Sequence, residues 1–326
     1  MPDVTLVEAI NLALARAMQD DPNVIVFGED VGVNGGVFRA TVGLQQRFGP
    51  ERVLDTPLAE LLISGLCVGM AAHGLRPVGE IQFMGFIYPC IDQLVNHASR
   101  LRHRTQGRLS CPMVLRAPCG AGIRAPEHHS EHTEAMLTHI PGLRVVIPSS
   151  PERAYGLLLA AIRDPDPVVF LEPTRLYRAA RGSVDDNGEA LSLDVAFVLR
   201  EGEDVTLIGW GAILKETLAA AETLAQEGIS AEVIDLATLK PCDTETILAS
   251  VTKTGRCVIV HEAARSGGLG AEIAALLAER GLTSLLAPVV RVTGYDTIIP
   301  LPRLEQSYMP SIDRIVRAAR RACRFT

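Results

Sequence analysis

Charge is scarce in this chain. Only 21% of its 326 residues are Asp, Glu, Lys or Arg, against 48% hydrophobic residues, and aromatics contribute 4%. That balance implies very large buried domains or apolar surface covered by other subunits, and the second reading is favoured here. No basic run interrupts a net charge of -7, so a nucleic-acid partner lacks its electrostatic footprint. No apolar run reaches membrane-spanning length and the N-terminus has no signal-peptide pattern, so no membrane partner is expected. The seven cysteines are odd in number and form no C-x-x-C pair, which argues against a disulfide framework. Several sit in apolar runs such as Leu66-Cys67-Val68, where free cysteine acts as a small hydrophobe. The expected setting is reducing: cytoplasm, or the mitochondrion for a mature organellar form. No short-period repeat is visible. Neither a G-x-G-x-x-G phosphate turn nor a Gly-Lys-Ser/Thr triplet occurs at Ser266-Gly-Gly-Leu-Gly270, so these glycines are read as helix-to-sheet packing.

What is present is a steady alternation of helical and strand-like apolar patterns. The length suggests two domains. Leu6, Ala9, Ile10, Ala13, Leu14 and Ala17 have helical spacing, and Val24 to Phe27 reads as a short strand. Helices are predicted over Leu58 to Ala72, Ile91 to Leu101 and Arg153 to Ile162, with strands over Val78 to Phe83, Met113 to Leu115, Val145 to Pro148 and Val168 to Leu171. The second half repeats the scheme, and glycines 228, 255 and 281 stand just past its helices. Such alternation indicates α/β layers built on mostly parallel sheets, here two doubly wound domains. The pattern fails between Tyr177 and Leu193. We therefore place a first domain at 1–180, a linker at 181–195 and a second domain at 196–326.

Four places carry chemistry. In Asp55-Thr-Pro-Leu-Ala-Glu60, Pro57 suits a first helical position with Thr56 as cap. The helix that follows is apolar on nearly every face, which predicts burial all round, with Glu60 as its only charge before His73. A capping-box glutamate belongs one residue earlier, and a carboxyl so surrounded is expected to titrate high, as an acid-base group would. In Glu127-His-His-Ser-Glu-His-Thr-Glu134, His128 and His132 are four apart and could share a helical face for zinc. The H-E-x-x-H order is missing, so a general acid or base, or a plain solvated loop, competes. Gln82 and Phe86 pair an amide with an aromatic face, or merely end a strand. Ala161-Ile-Arg-Asp-Pro-Asp-Pro167 is a rigid turn whose carbonyls and carboxylates could hold a hard cation. The terminal arginines 314, 317, 320, 321 and 324 read as the solvated face of a last helix, with an acidic docking partner as the alternative.

At these residues the sequence resembles the β subunit of the decarboxylating component of 2-oxo acid dehydrogenases. The resemblance rests on Phe27-Gly-Glu-Asp-Val-Gly, Gly35-Gly-Val-Phe-Arg-Ala-Thr, Asp55-Thr-Pro-Leu-Ala-Glu60, Glu80-Ile-Gln-Phe and His129-Ser. It continues through Pro141-Gly-Leu-Arg-Val-Val-Ile-Pro148, Thr254-Gly-Arg and Arg291-Val-Thr-Gly-Tyr-Asp296, covering the whole chain in order. It implies a transketolase-like pyrimidine-binding domain followed by a transketolase C-terminal domain. It also implies an α2β2 assembly with a separate α subunit, docking onto a lipoyl acyltransferase core and acting on a small 2-oxo acid. The cofactor would be thiamine diphosphate, with Mg2+ held mainly by the α subunit. Glu60 would hydrogen-bond N1′ of the aminopyrimidine and favour the tautomer that removes the C2 proton of the thiazolium. Leu58 and Phe86 would pack against that ring and Gln82 would line a polar wall. His129 would serve acyl transfer to lipoyl groups. Met113, Ala161, Ile162, Asp164 and Asp166 would form a structural K+ site, largely of carbonyls. Two departures stand out: Glu131 replaces a frequent Gln, and His132-Thr133 replaces a common Ser-Pro or Ser-Leu pair. Pyruvate and branched-chain substrates are not separated by these motifs. An acetoin dehydrogenase β subunit or a non-catalytic interaction subunit of the same fold are the alternatives.

Overall fold

A computed structural model describes residues 3–325. Its first helix, Leu6–Asp20, shows local chemistry starting the fold. Thr5 Oγ1 accepts from the Glu8 amide at 3.4 Å, and Glu8 Oε2 accepts from the Thr5 amide at 2.7 Å, a reciprocal cap. The six apolar residues whose spacing predicted this helix are all buried.

Strands follow in chain order: β1 (Asp3–Thr5), β2 (Val24–Gly28), β3 (Val53–Asp55), β4 (Arg76–Glu80), β5 (Val114–Cys119), β6 (Arg144–Val146) and β7 (Val168–Pro173). Beyond them come β8 (Arg181–Ser183), β9 (Phe197–Arg200), β10 (Val205–Gly209), β11 (Ala231–Asp235), β12 (Thr238–Lys240), β13 (Cys257–Val260) and β14 (Val290–Val292). One sheet has the order β12-β6-β7-β5-β4-β2-β3 and is parallel except at β12. That antiparallel edge strand comes from the C-terminal half of the chain. The other sheet, β14-β13-β10-β11-β9, is parallel except at β9. β2, β5 and β7 are buried along their whole length, which explains why they are almost wholly apolar. The architecture is α/β, built on two mostly parallel sheets as the alternation predicts.

Three details differ from expectation. Arg181–Ser183, within the expected linker, pairs antiparallel with β1. The helix read over Ile91 to Leu101 is broken at His97 into Ile91–Asn96, a 3-10 turn and Leu101–Arg104. Arg314 of the last helix, Ile312–Cys323, folds inward to donate to Thr293 O at 2.5 Å and Met309 O at 3.2 Å. Arg317 and Arg320 keep the solvated role, paired with Asp313 and Glu227 at 2.8 Å each.

The helices Leu6–Asp20 and Pro151–Arg163 bury Leu14, Met18 and Leu157 with Val26 and Phe170 of the large sheet. A second apolar cluster runs from Ile63, Met84 and Leu115 through Trp210 to Ile234, Ile259 and Ile273, so both sheets contribute to one core. Gly270 lets the Leu269–Arg280 helix approach, since a Cβ there would lie 2.7 Å from His261 Nε2. The packing reading therefore holds for Gly268 and Gly270, while a Cβ at Gly267 would meet nothing within 4 Å. Among the described residues no helix is long and apolar enough to cross a membrane.

Candidate active site

Parallel pairing brings Gly28, Asp55, Glu80 and Cys119 to one edge of the large sheet, at the strands' C-terminal ends. Open α/β sheets take their ligands at such an edge. The loops leaving it carry Glu29, Glu60, Gln82, Phe86 and His129.

Glu60 opens the helix Glu60–Ala72. The expected cap does not form. Ala59 is the residue preceding the helix and no side chain caps it, because Thr56 is spent extending the sheet edge: its amide donates to Gly28 O at 2.9 Å. Nor is the helix buried all round. Ile63, Ser64, Cys67 and Ala71 face the core, whereas Leu61 and Leu62 are 49% and 43% exposed. A helix apolar on every face needs a cover that this chain alone does not provide. Leu58, just before it, is 80% exposed.

Beside Glu60 lies a second carboxyl that the sequence reading passed over. Glu29 is buried at the end of β2, and its Oε1 has no partner. Burial, and then the neighbouring Glu60 carboxylate, push Glu29 above the usual carboxyl range, against a hydrogen bond from the Ala59 amide. Its signal was a charged residue directly after an apolar strand. Asp55 braces the loop between them, accepting from the Gly32 amide at 2.6 Å and the Val33 amide at 3.3 Å.

His129 stands across the segment that follows β4. Its ring lies edge-on to Phe83, 4.4 Å between centroids, and to Phe86 at 5.3 Å. Nδ1 is buried without a partner. Gly85 is needed for this approach, since a Cβ there would sit 1.9 Å from His128 O. The same segment reaches Glu60: Cys90 Sγ donates to Glu60 O at 3.2 Å. Gln82, half-buried, lies between β4 and this turn. The structure thus links Glu29, Glu60, Phe86 and His129 through the 84–90 segment, and Gln82 is half-buried just before it.

Two buried ion clusters support the region, and both escaped the sequence reading. Arg116, fully buried in β5, donates to Glu172 at 2.6 and 2.9 Å and to Glu80 at 2.8 Å, while the Tyr177 hydroxyl donates to Glu172. Burial raises the Glu80 carboxyl despite the guanidinium. A charged residue inside the apolar run Val114-Leu-Arg-Ala-Pro-Cys119 was the available signal. The second cluster corrects the histidine pair. Residues 127–129 form only a 3-10 turn, so His128 stays exposed while His132 turns inward between Glu134 and Glu262. The two do not share a face. Next to it, the chain's sole tryptophan, Trp210, stacks on His261 at 5.2 Å.

Burial pushes His261 down to about 4. A folded value below the unfolded one means that its contribution to stability is present above about 6.5 and lost as pH falls toward 4. We expect acidification to quench Trp210 fluorescence with a midpoint near the lower value, as the stacked imidazole gains its proton. A midpoint near that of free histidine would contradict this placement.

The turn implied for K+ is crowded with arginines. Ile162 O and Asp164 O accept from Arg76 Nη1 at 2.8 and 3.3 Å. Arg144 pairs with the Asp164 carboxylate at 3.0 Å and Arg102 with Asp166 at 2.7 Å. Met113 O accepts from the Val168 amide at 2.9 Å. Both carboxylates are therefore paired with guanidinium groups, and the Met113, Ile162 and Asp164 carbonyls already accept hydrogen bonds. Among the described residues no group of three His, Cys, Asp or Glu side chains is placed to hold a metal.

Two family models match the chain: transketolase, pyrimidine binding domain, over residues 3–180, and transketolase, C-terminal domain, over residues 194–315. The chain is 50% identical over 321 residues to a pyruvate dehydrogenase E1 component subunit beta from Acholeplasma laidlawii, covering 98% of each. Proteins of the same name from Bacillus subtilis strain 168 and Staphylococcus epidermidis are 47% and 48% identical over 325 residues, the full length of each. A solved structure described as split gene transketolase, inactive beta4 tetramer, has a TM-score of 0.82 at 23% identity, covering 99% of each chain. At that identity the likeness speaks for the fold alone.

Proposed function

Because this chain belongs to the family of β subunits of the pyruvate dehydrogenase E1 component, we propose that it supplies the Glu60 half of a thiamine-diphosphate site completed by an α subunit. The observation that carries the reading is the Glu29–Glu60 carboxyl pair at an open sheet edge beside an uncovered apolar helix face. Buried, unpartnered Glu29 Oε1, Thr56 Oγ1 and His129 Nδ1 fit a polar heterocycle lying against this edge. Bound thiamine diphosphate supplies an electron sink at its thiazolium ring for loss of carbon dioxide from pyruvate.

The chain's own residues bind, orient and move protons. Glu60 holds a proton at N1′ of the aminopyrimidine. Glu29 stands beside that carboxylate as a second acid, pushed above the usual carboxyl range by burial and then by its neighbour. Phe86 and Leu58 bracket the ring and Gln82 lines its polar wall. His129, fixed edge-on by Phe83 and Phe86, delivers or accepts the proton that accompanies acyl transfer to a lipoyl group. Magnesium and the diphosphate fall to the α subunit in an α2β2 assembly. A K+ ion, if bound, rests on carbonyls of Met113, Ala161, Ile162, Asp164 and Asp166.

Reconstitution tests the reading. Alone, the chain is expected to release no carbon dioxide from pyruvate. With its α subunit, thiamine diphosphate and magnesium, turnover appears, and a lipoyl domain of the acyltransferase core becomes acetylated. Faster turnover of acetoin or of a branched-chain 2-oxo acid than of pyruvate would reassign the substrate. Activity without the α subunit would reject the shared site.

A further inference from the structure

We propose that His132 is a positioning residue, clamping the segment that carries His129 to the C-terminal domain. The inference rests on the acyl-transfer role given to His129 above.

Between β5 and the short helix Glu134–Thr138 the chain has little regular structure. Its place must come from side chains. His132 is 7% exposed in its side chain, and its Nε2 lies 2.7 Å from Glu262 Oε2, across the domain boundary. Its Nδ1 lies 3.6 Å from Glu134 Oε2, ion-pair range rather than a hydrogen bond. The other oxygen of Glu262 accepts from Arg175 at 3.1 Å, and Arg175 also pairs with Glu216 at 2.5 Å. Trp210 Nε1 donates to Glu134 Oε1 at 3.4 Å. The residue three positions after His129 is thus wired into the second domain directly and through its neighbour.

The backbone makes room for this contact. A Cβ at Gly120 would lie 2.9 Å from His132 Nε2 and 3.3 Å from Glu262 Oε2, and the Gly120 amide donates to Glu131 O at 3.1 Å. The loop's two ends are therefore joined beneath the imidazole. A separate bridge from Glu305 to the Gly122 amide, 2.8 Å, fixes the loop's upstream part but does not reach His129.

Charge explains why a histidine serves here. Glu134 and Glu262 are both buried and approach from two domains. Their side chains would repel without a cation between them. The flanking carboxylates hold His132 up at about 10 against burial, and the imidazole in turn holds Glu134 down at about 2 and lowers Glu262. Arg175, Glu216, His261, Cys119 and Tyr308 complete the titratable surroundings. Loss of the imidazolium leaves buried Glu134 with no paired cation and Glu262 with Arg175 alone, which is costly enough to loosen the contact between them. The loop then slackens, and His129 loses its seat against Phe83 and Phe86. Displacing a reacting group by about 1 Å costs up to ~100-fold in rate.

The test uses the α2β2 complex, a lipoyl domain, and an artificial electron acceptor that bypasses acyl transfer. For His132→Gln, the ratio of lipoyl acetylation to acceptor-linked decarboxylation should fall about tenfold. The KM for the lipoyl domain should stay within about twofold of wild type, since orientation rather than docking is lost. Trp210 emission should shift, reporting the opened cluster. An unchanged ratio in an assembled complex overturns the clamp. His129→Ala is run alongside: if that variant leaves the ratio unchanged, the reading of His129 itself fails. If only His129→Ala lowers it, the clamp alone fails. Should His132→Gln not assemble, the isosteric Glu134→Gln decides, with a fall of about threefold expected and no fall rejecting the clamp.

Discussion

Changing Glu60→Gln is expected to cut carbon dioxide release from pyruvate by the reconstituted complex about a thousandfold, within the range for losing an acid-base group. Glutamine has nearly the same volume, so the helix keeps its buried face of Ile63, Ser64, Cys67 and Ala71. The contacts to Glu60 from Ser64 and Cys90 go to its backbone carbonyl, at 3.1 and 3.2 Å, and survive the change. Assembly with the α subunit should therefore persist while chemistry stops. What the amide cannot do is exchange a proton with a ring nitrogen. Radiolabelled pyruvate, assayed on complex recovered at its normal size by gel filtration, separates the two effects. Near-normal turnover would remove Glu60 from the mechanism.

The second large effect falls on His129. His129→Ala should slow reductive acetylation of a lipoyl domain by two to three orders of magnitude, about the value of a positioned general acid or base. Decarboxylation coupled to an artificial acceptor should fall far less, because that route needs no proton at the lipoyl sulfur. The geometry supports the separation. His129 contacts Phe83 and Phe86, whereas the Glu60 backbone is contacted further along the same segment, at Cys90. Equal loss in both assays would show that the histidine serves the earlier step instead.

Much of this was legible in the sequence, and the failures have physical causes. The spacing of Leu6 to Ala17 identified the first helix because its capping box and one-sided burial are local. The Glu60 helix was started two residues too early. Pro57 advertises a helical start, but residues 55–56 continue the pairing of β3 with β2, and sheet hydrogen bonding outcompetes a cap. Full apolar coverage of that helix predicts burial all round, which the chain by itself does not supply. The exposed Leu61 and Leu62 instead accord with the apolar excess and with a covering subunit. The i, i+4 spacing of His128 and His132 suggested a shared face only on the assumption of a helix, which residues 127–129 do not form. The partners of His132 and Arg116 were invisible for another reason. Glu262 lies 130 residues beyond His132, and Glu172 lies 56 beyond Arg116, so no local pattern connects them. Glu29 was within a recognised motif, yet its role needed the proximity of Glu60 to show itself.

The central claim is that Glu60 of this chain activates a cofactor held jointly with another subunit. Exchange of the thiamine diphosphate C2 proton with deuterium oxide, followed by acid-quench NMR in the α2β2 complex, tests it most directly. Rapid exchange is predicted in the wild-type complex, falling about a thousandfold in Glu60→Gln and to the solution rate when the α subunit is withheld. Equally fast exchange in the variant and wild-type complexes would contradict the account.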